Sequence, residues 1–154
     1  MSEDINEQFH QVCKTADGTL EKAKSLYQQG ANPNFKGVKG VTPLMEALEV
    51  NNTDIVQWLL SDKLVDVDIA NDNGNTALHY AVRFNKKDAT LIAELANYMK
   101  KESVNLVNNS GKTAVIQAVE FNNIRAVEGL LSVKSVDWDI KDKKNRTLLD
   151  LARL

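Results

Sequence analysis

Four threonines recur along the chain, each inside the same short pattern. Gly40-Val-Thr-Pro-Leu-Met-Glu-Ala, Gly74-Asn-Thr-Ala-Leu-His-Tyr-Ala and Gly111-Lys-Thr-Ala-Val-Ile-Gln-Ala align directly, and Asn145-Arg-Thr-Leu-Leu-Asp-Leu-Ala follows with Asn in place of Gly. Thr42, Thr76, Thr113 and Thr147 lie 34, 37 and 34 residues apart. A period of this size means one supersecondary unit used repeatedly. Each unit alone is too small to bury its apolar face, so stability must come from stacking.

The unit reads as two helices. Thr42 can cap the first, and Pro43 sits where a missing N–H costs nothing. Leu44, Ala47 and Leu48 share one face, and the small Ala47, Ala81, Ala118 and Ala152 predict close helix approach. After the polar break Asn51-Asn52, a second helix places Ile55, Val56, Leu59 and Leu60 on one side. The break at Asn122-Asn123 leads in the same way to Ala126, Val127, Leu130 and Leu131. In the middle unit the pattern predicts a second helix from about Lys87 to Lys100, with Leu91, Ile92, Leu95 and Met99 inward. Its three extra residues are expected to lengthen that helix or its exit.

Between units, Val67-Asp-Ile-Ala-Asn, Val104-Asn-Leu-Val-Asn and Trp138-Asp-Ile-Lys-Asp alternate apolar and short polar residues. Asn, Asp and Gly follow, so an extended arm leads into a hairpin-like tip. Pro33-Asn-Phe-Lys-Gly is an earlier copy, after a helix stop at Gly30. The first unit is worn. One helix runs from Asn6 to about Thr15 with Phe9, Val12 and Cys13 inward. Another runs from Thr19 to Gln29 with Leu20, Ala23, Leu26 and Tyr27 inward. The last unit stops at Leu154 after one helix, its partner either absent or cut away at a boundary.

At these residues the chain resembles the ankyrin repeat family. Thr42-Pro43-Leu44 and Thr76-Ala77-Leu78-His79, each behind a glycine, match its signature, and Gly30-Ala31-Asn32-Pro33-Asn34 is similar to its inter-repeat segment. The resemblance spans residues 5–154 as a single domain, with units at about 6–39, 40–73, 74–110 and 111–144 and a partial unit at 145–154. It departs from the pattern where Met45, Ile116 and Asp150 replace the histidine at the place of His79. It departs again where Asn51, Asn85 and Asn122 replace the glycine between helices, a mild change because Asn tolerates a left-handed backbone. The resemblance implies an all-α repeat solenoid of helix–turn–helix units with hairpin-like fingers, whose fingers and first helices line a concave surface where partners bind.

Carried onto this chain, that surface holds the finger residues Val38, Lys39 and Val41, then Asp72, Asn73 and Asn75, then Asn109, Ser110 and Lys112, then Lys143, Lys144 and Arg146. The ends of the first helices add Glu49, Val50, Arg83, Phe84, Glu120 and Phe121, with Tyr80 shaping the same surface. Phe84 and Phe121 hold one place in adjacent units with Val50 in line, so a solvent-facing apolar row flanked by Glu49, Arg83 and Glu120 would anchor a partner. The competing reading folds either ring back against the neighbouring repeat. His79 is expected to steady its own turn, as the family's histidine does. Trp58 and Trp138 read as packing groups. Asn34, Asp68, Asn105 and Asp139 recur at one place, which turn hydrogen bonding explains.

Other chemistry finds little support. The net charge is -2, which does not suit a general phosphate-backbone binder, and the basic tract Lys141 to Arg146 is broken by Asp142. One cysteine and two histidines cannot assemble a familiar zinc cluster. No phosphate-cradling loop, dinucleotide fingerprint or calcium loop occurs. A Cys13–His10 pair is conceivable on one helix face, but Cys13 falls inward and no orienting group is evident. The expected function is therefore binding of another protein through the concave face, without catalysis, cofactor, metal or nucleic acid. A stand-alone inhibitor or effector that blocks a partner enzyme, or a regulatory subunit of a larger complex, are the alternatives. No apolar run approaches the roughly 18 residues of a membrane helix, and Met1-Ser2-Glu3-Asp4 lacks a signal-peptide pattern. The expected state is a monomer in the cytoplasm, with the nucleus or signal-free secretion as alternatives.

Overall fold

Each threonine of the repeat starts a helix in the computed structural model, which describes residues 4–154. Met1 to Glu3 of the acidic start lie outside the described residues. The Thr42, Thr113 and Thr147 hydroxyls accept from the backbone N–H groups of Met45, Ile116 and Asp150 at 3.3, 3.3 and 3.2 Å. These bonds satisfy donors that a helix start otherwise leaves unpaired. The helices are α1 (Ile5–Lys14), α2 (Leu20–Gln28), α3 (Pro43–Glu49), α4 (Thr53–Ser61), α5 (Ala77–Phe84), α6 (Ala89–Tyr98), α7 (Lys101–Val104), α8 (Ala114–Glu120), α9 (Ile124–Leu131) and α10 (Leu148–Ala152). Among the described residues the β pairing is one isolated bridge, Lys141 to Thr147. The architecture is an all-α stack of helix–turn–helix units.

The first helices α1, α3, α5, α8 and α10 pack side by side in that order. Ala47, Ala81 and Ala118 are fully buried in this row, as close approach requires. The second helices cover one side. Trp58 on α4 stands edge-on to Phe9 at 6.3 Å and to Tyr27 at 5.8 Å, and so ties the first unit to the second. Trp138 packs against the same core while partly exposed. Two expected inward residues turn out differently. Tyr27 is 36% exposed, with one edge on Trp58, and Leu131 is 66% exposed. Ala126, Gly129 and Leu130 already fill the inner face of α9, and one further residue rotates about 100° away from it.

The middle unit departs from expectation in a way that matters. From first-helix cap to second-helix cap the chain takes ten residues in the units of Thr42–Asn52 and Thr113–Asn123, but twelve in Thr76–Asp88. Two of the three extra residues therefore lie before α6, one lengthening α5 to eight residues against seven in α3 and α8 and one lengthening the loop, and α6 itself is shorter than the Lys87 to Lys100 span expected. Asn51 and Asn122 adopt left-handed φ of 55° and 51°, whereas Asn85 stays at −91° because the longer loop makes a different turn.

A chemical difference goes with it. Asn52 caps α4 and also donates from Nδ2 to the Gly18 and Thr15 carbonyls of the preceding unit, at 2.9 and 3.4 Å. Asn123 caps α9 and donates to the Val82 and Asn85 carbonyls at 2.7 and 2.9 Å. Asp88 holds that place in the middle unit and caps Leu91 at 3.0 Å. A carboxylate has no proton to give, so the bond back to the second unit is not made. Helix α6 lies tight on α9, where a Cβ on Gly129 would run into the Ala89 carbonyl oxygen. Toward α4 it leaves clefts of about 460 Å³ and about 320 Å³, floored by Leu48, Val56 and Leu91 at one end and Leu59 and Val65 at the other.

The polar residues recurring at positions 34, 68 and 105 reach further than turn hydrogen bonding within their own arm. Asn34, Asp68 and Asn105 accept from the backbone N–H groups of Asp66, Lys100 and Asp137 at 2.7, 3.0 and 2.8 Å, each 32 residues on. Asp139 makes no such bond among the described residues. The turns themselves are made by Asn32, Asp66 and Asp137, which accept from the N–H two residues ahead.

Candidate functional site

The finger tips are set by one residue type at one place. Asn71 and Asn108 each open a finger, and each side-chain oxygen accepts two backbone N–H groups of that finger at 3.0 to 3.1 Å. Asp142 does the same in the last finger, for Lys144 and Arg146 at 2.9 Å. Gly74 and Gly111 turn the tips at φ 75°, a conformation open to glycine at no steric cost. Asn145 stands there in the last finger at φ 60°. Neighbouring fingers join through Asp72 N–H to the Lys39 carbonyl and Asn109 N–H to the Asn73 carbonyl, at 3.0 and 2.9 Å. Arg146 is engaged by Asp142 at 2.6 Å, and its hydrogen bond holds that carboxyl below the usual range.

His79 fixes the finger ahead of it. Its Nδ1 lies 3.1 Å from the Thr76 backbone N–H and 3.0 Å from the hydroxyl, and its Nε2 lies 3.1 Å from the Lys112 carbonyl in the next finger. Because Nδ1 accepts a backbone N–H, Nε2 carries the proton and donates to Lys112. The steadying role expected for His79 thus extends to the following repeat. Burial pushes its pKa down, while the Lys112 carbonyl bond opposes that shift. A folded-state value below the unfolded one of about 6.5 means that the unfolded chain binds more protons as pH falls. Stability is therefore expected to drop from about pH 6.5 downward through the depressed pKa, by up to about 1.4 kcal/mol per pH unit. Urea unfolding at a series of pH values checks this, and His79→Gln should flatten that portion of the slope.

Cys13 and His10 do not form the conceivable pair. Burial, with a contribution from Glu46, pushes the Cys13 thiol up to about 12. His10 is occupied instead by the Phe35 carbonyl at 3.2 Å, with the Glu46 carboxylate 3.6 Å from Nδ1. Among the described residues no cluster of His, Cys, Asp or Glu is placed to hold a metal ion, and no helix is long and apolar enough to cross a membrane.

The residues expected on the concave face fall into two groups. Tyr80, Arg83, Phe84 and Phe121 come together. The Tyr80 and Phe84 rings lie 5.9 Å apart, and the Arg83 guanidinium sits 5.2 Å from the Phe84 ring and 5.8 Å from the Phe121 ring. A guanidinium over ring faces is an attractive cation–π arrangement that orders all three side chains. Phe121 remains 40% exposed, and Phe84 is half-buried beside the α4–α6 cleft. Glu49 and Asn75 line a cleft with Tyr80, Arg83 and Phe84. Lys112 is paired with Glu120 at 2.7 Å, so these two charges largely satisfy each other. Lys39 is exposed in a short 3-10 turn, Val38–Gly40, at φ 58°, and Val41 follows it half-buried, both outside that cleft. Val50 is the half-buried C-cap of α3.

Sequence reasoning missed Gln117. It lies on α8 four residues after Thr113, only 9% exposed, and it lines the cleft with Glu49 and Arg83. The available signal was a carboxamide between Ile116 and Ala118 on an otherwise apolar helix.

Comparison with known proteins places this geometry. The model for ankyrin repeats, three copies, matches residues 9–101. The chain is 32% identical over 80 residues to human transient receptor potential cation channel subfamily A member 1, covering 52% of this chain and 7% of that protein. It is 39% identical over 62 residues to mouse rabankyrin-5, covering 40% of this chain and 5% of that protein. An ankyrin repeat protein of Fowlpox virus is 41% identical over 64 residues, covering 42% of this chain and 34% of its own length. The chain thus spans less than a tenth of the first two and about a third of the viral protein. The family pattern covers more than half of the chain, and the capped helix pairs and glycine-turned fingers carry it in three dimensions: the chain belongs to the ankyrin repeat family.

Proposed function

We propose that this chain binds a partner protein across its concave face, anchored on the Phe84 and Phe121 rings. Ankyrin repeats form a general protein-interaction scaffold, and this reading adds the face and the anchors. The observation that carries it is the aromatic pair ordered by Arg83, with Phe121 still 40% exposed. Rings held in place before binding lose little freedom on contact, which favours them as hot spots. Phe84 has a second task, since its side chain also borders the cleft toward α4.

Replacing Phe84 and Phe121 together by alanine should weaken capture of the native partner roughly tenfold or more, the range of hot-spot truncation. Pull-down from native extract with wild-type and double-variant chains, identified by mass spectrometry, measures the loss. Circular-dichroism melts of both chains verify that the stack is intact. Equal capture by the two chains would remove the concave aromatic row from the interface.

A further inference from the structure

The cleft beside Arg83 is not neutral in its hydrogen bonding. It measures about 180 Å³ and lies between the finger of Asn73 and Asn75 and the helices α3, α5 and α8. The orientation of its amides follows from the fingers. The Asn71 side-chain oxygen is committed to the N–H groups of Asn73 and Asn75. Its Nδ2 therefore donates to the Tyr80 hydroxyl oxygen at 3.2 Å, and the Tyr80 O–H is left unspent. The Asn108 side-chain oxygen is likewise committed to Ser110 and Lys112, and its Nδ2 donates to the Asn75 Oδ1 at 2.8 Å. The two N–H bonds of the Asn75 amide are left unspent in turn.

Two more groups complete the lining. Arg83 has no carboxylate partner among the described residues and is held only by the two phenylalanine rings. Gln117 is nine-tenths buried, yet its carboxamide makes no hydrogen bond among the described residues. No polar side-chain atom is sealed away without a partner among the described residues, so that amide opens on the cleft it lines. An amide this buried and unpaired in the free protein gains most from a ligand that supplies the missing partner. The unspent donors are a guanidinium, a hydroxyl and an oriented amide, with Gln117 able to add its own. Against them stand the Glu49 carboxylate on the rim and, further off, the Glu46 carboxylate, both of which act on Tyr80.

We propose that this cleft receives the carboxylate of an aspartate or glutamate side chain from the partner protein, with Arg83, Tyr80, Asn75 and Gln117 as its donors. The assignment rests on the concave-face reading above and specifies what that face recognises. His79 takes no part, since both of its ring nitrogens are already committed. Glu49 opposes the bound charge, so removing its charge should tighten binding while removing that of Arg83 should loosen it.

The test is a two-dimensional NMR titration of the full chain at fixed ionic strength, read on the Gln117 and Asn75 side-chain amides and the Arg83 Nε–H. The probe is N-acetyl-glutamate N-methylamide. Its neutral counterpart is N-acetyl-glutamine N-methylamide, and N-acetyl-alanine carries only a terminal carboxylate. The glutamate probe should move all three signals saturably, with a Kd on the order of ten millimolar for so small a contact. The glutamine probe should leave them nearly still. Arg83→Gln should weaken the response roughly tenfold, as loss of a charged hydrogen-bond donor does, and Glu49→Gln should strengthen it about twofold. Equal response to the glutamine probe, response to N-acetyl-alanine alone, no response at all, or a weaker response in Glu49→Gln would each overturn the assignment. Partner capture that survives the Phe84 and Phe121 replacement would defeat the concave-face reading instead, and the titration would still report on the cleft.

Discussion

Alanine in place of Asn123 should lower the free energy of unfolding by about 4 kcal/mol, from the sum of a lost cap and two stranded carbonyls. Asn123 is 3% exposed and does three things with one side chain. Its oxygen caps α9 through Ala126 N–H at 3.1 Å, and its Nδ2 bridges to Val82 and Asn85 carbonyls in the preceding unit. A helix cap alone contributes about 1 kcal/mol. Each buried carbonyl left without a donor costs a further 1–3 kcal/mol or so. Domains of this size are stable by only about 5–15 kcal/mol, so the substitution removes a large share. Urea unfolding followed by circular dichroism measures it. Asn123→Asp keeps the cap oxygen and loses only the donors, so it should be at least as damaging near neutral pH, where the ionised carboxylate faces two carbonyl oxygens. A loss under about 1 kcal/mol for the alanine variant would mean that water replaces both bonds at no cost.

The second large effect runs against helix propensity. Gly129 lies inside α9, where alanine normally gains about 1 kcal/mol over glycine. Here the added Cβ meets the Ala89 carbonyl oxygen of α6, a backbone atom that cannot rotate aside. Valine at this place adds two more carbons to the same contact and should cost roughly 3 kcal/mol by overpacking, with alanine losing less. For a chain of this length, thermal melts should then shift down by roughly 6–12 °C for Gly129→Val. A melt unchanged or raised would show that α6 and α9 separate freely, contrary to the close packing described.

The threonine period made the helix pairs legible because capping is local: Thr42, Thr113 and Thr147 bond to residues three ahead. The inner faces of α3, α4 and α6 were legible for the same reason, since periodicity reports one face directly. Leu131 was misplaced because a run of two leucines does not say which of them the neighbouring helix covers. The middle unit was misread because length alone does not locate an insertion, and the longer loop showed only in the spacing between caps. The polar ladder from Asn34 to Asp66, and from Asp68 to Lys100, joins residues 32 apart and has no local signature. At the candidate site, Phe84 and Phe121 were legible as a pair because they repeat at one helical place, with Arg83 one residue before Phe84. Gln117 was not, because its meaning depends on what the adjacent finger leaves unpaired.

Asp88, one carboxylate where the neighbouring units carry an amide, has a consequence for the whole stack. A repeat protein behaves as a line of spins, each coupled only to its neighbours. Asn52 and Asn123 strengthen the couplings on either side, while Asp88 and the open α4–α6 clefts weaken the one in between. A domain wall on such a line forms at its weakest coupling. Among the seams between two-helix units, the one between α4 and α6 is therefore expected to open first despite the Asn51 Nδ2 bond to the Phe84 carbonyl, leaving the Phe84–Arg83–Phe121 group whole on one block and Glu49 on the other.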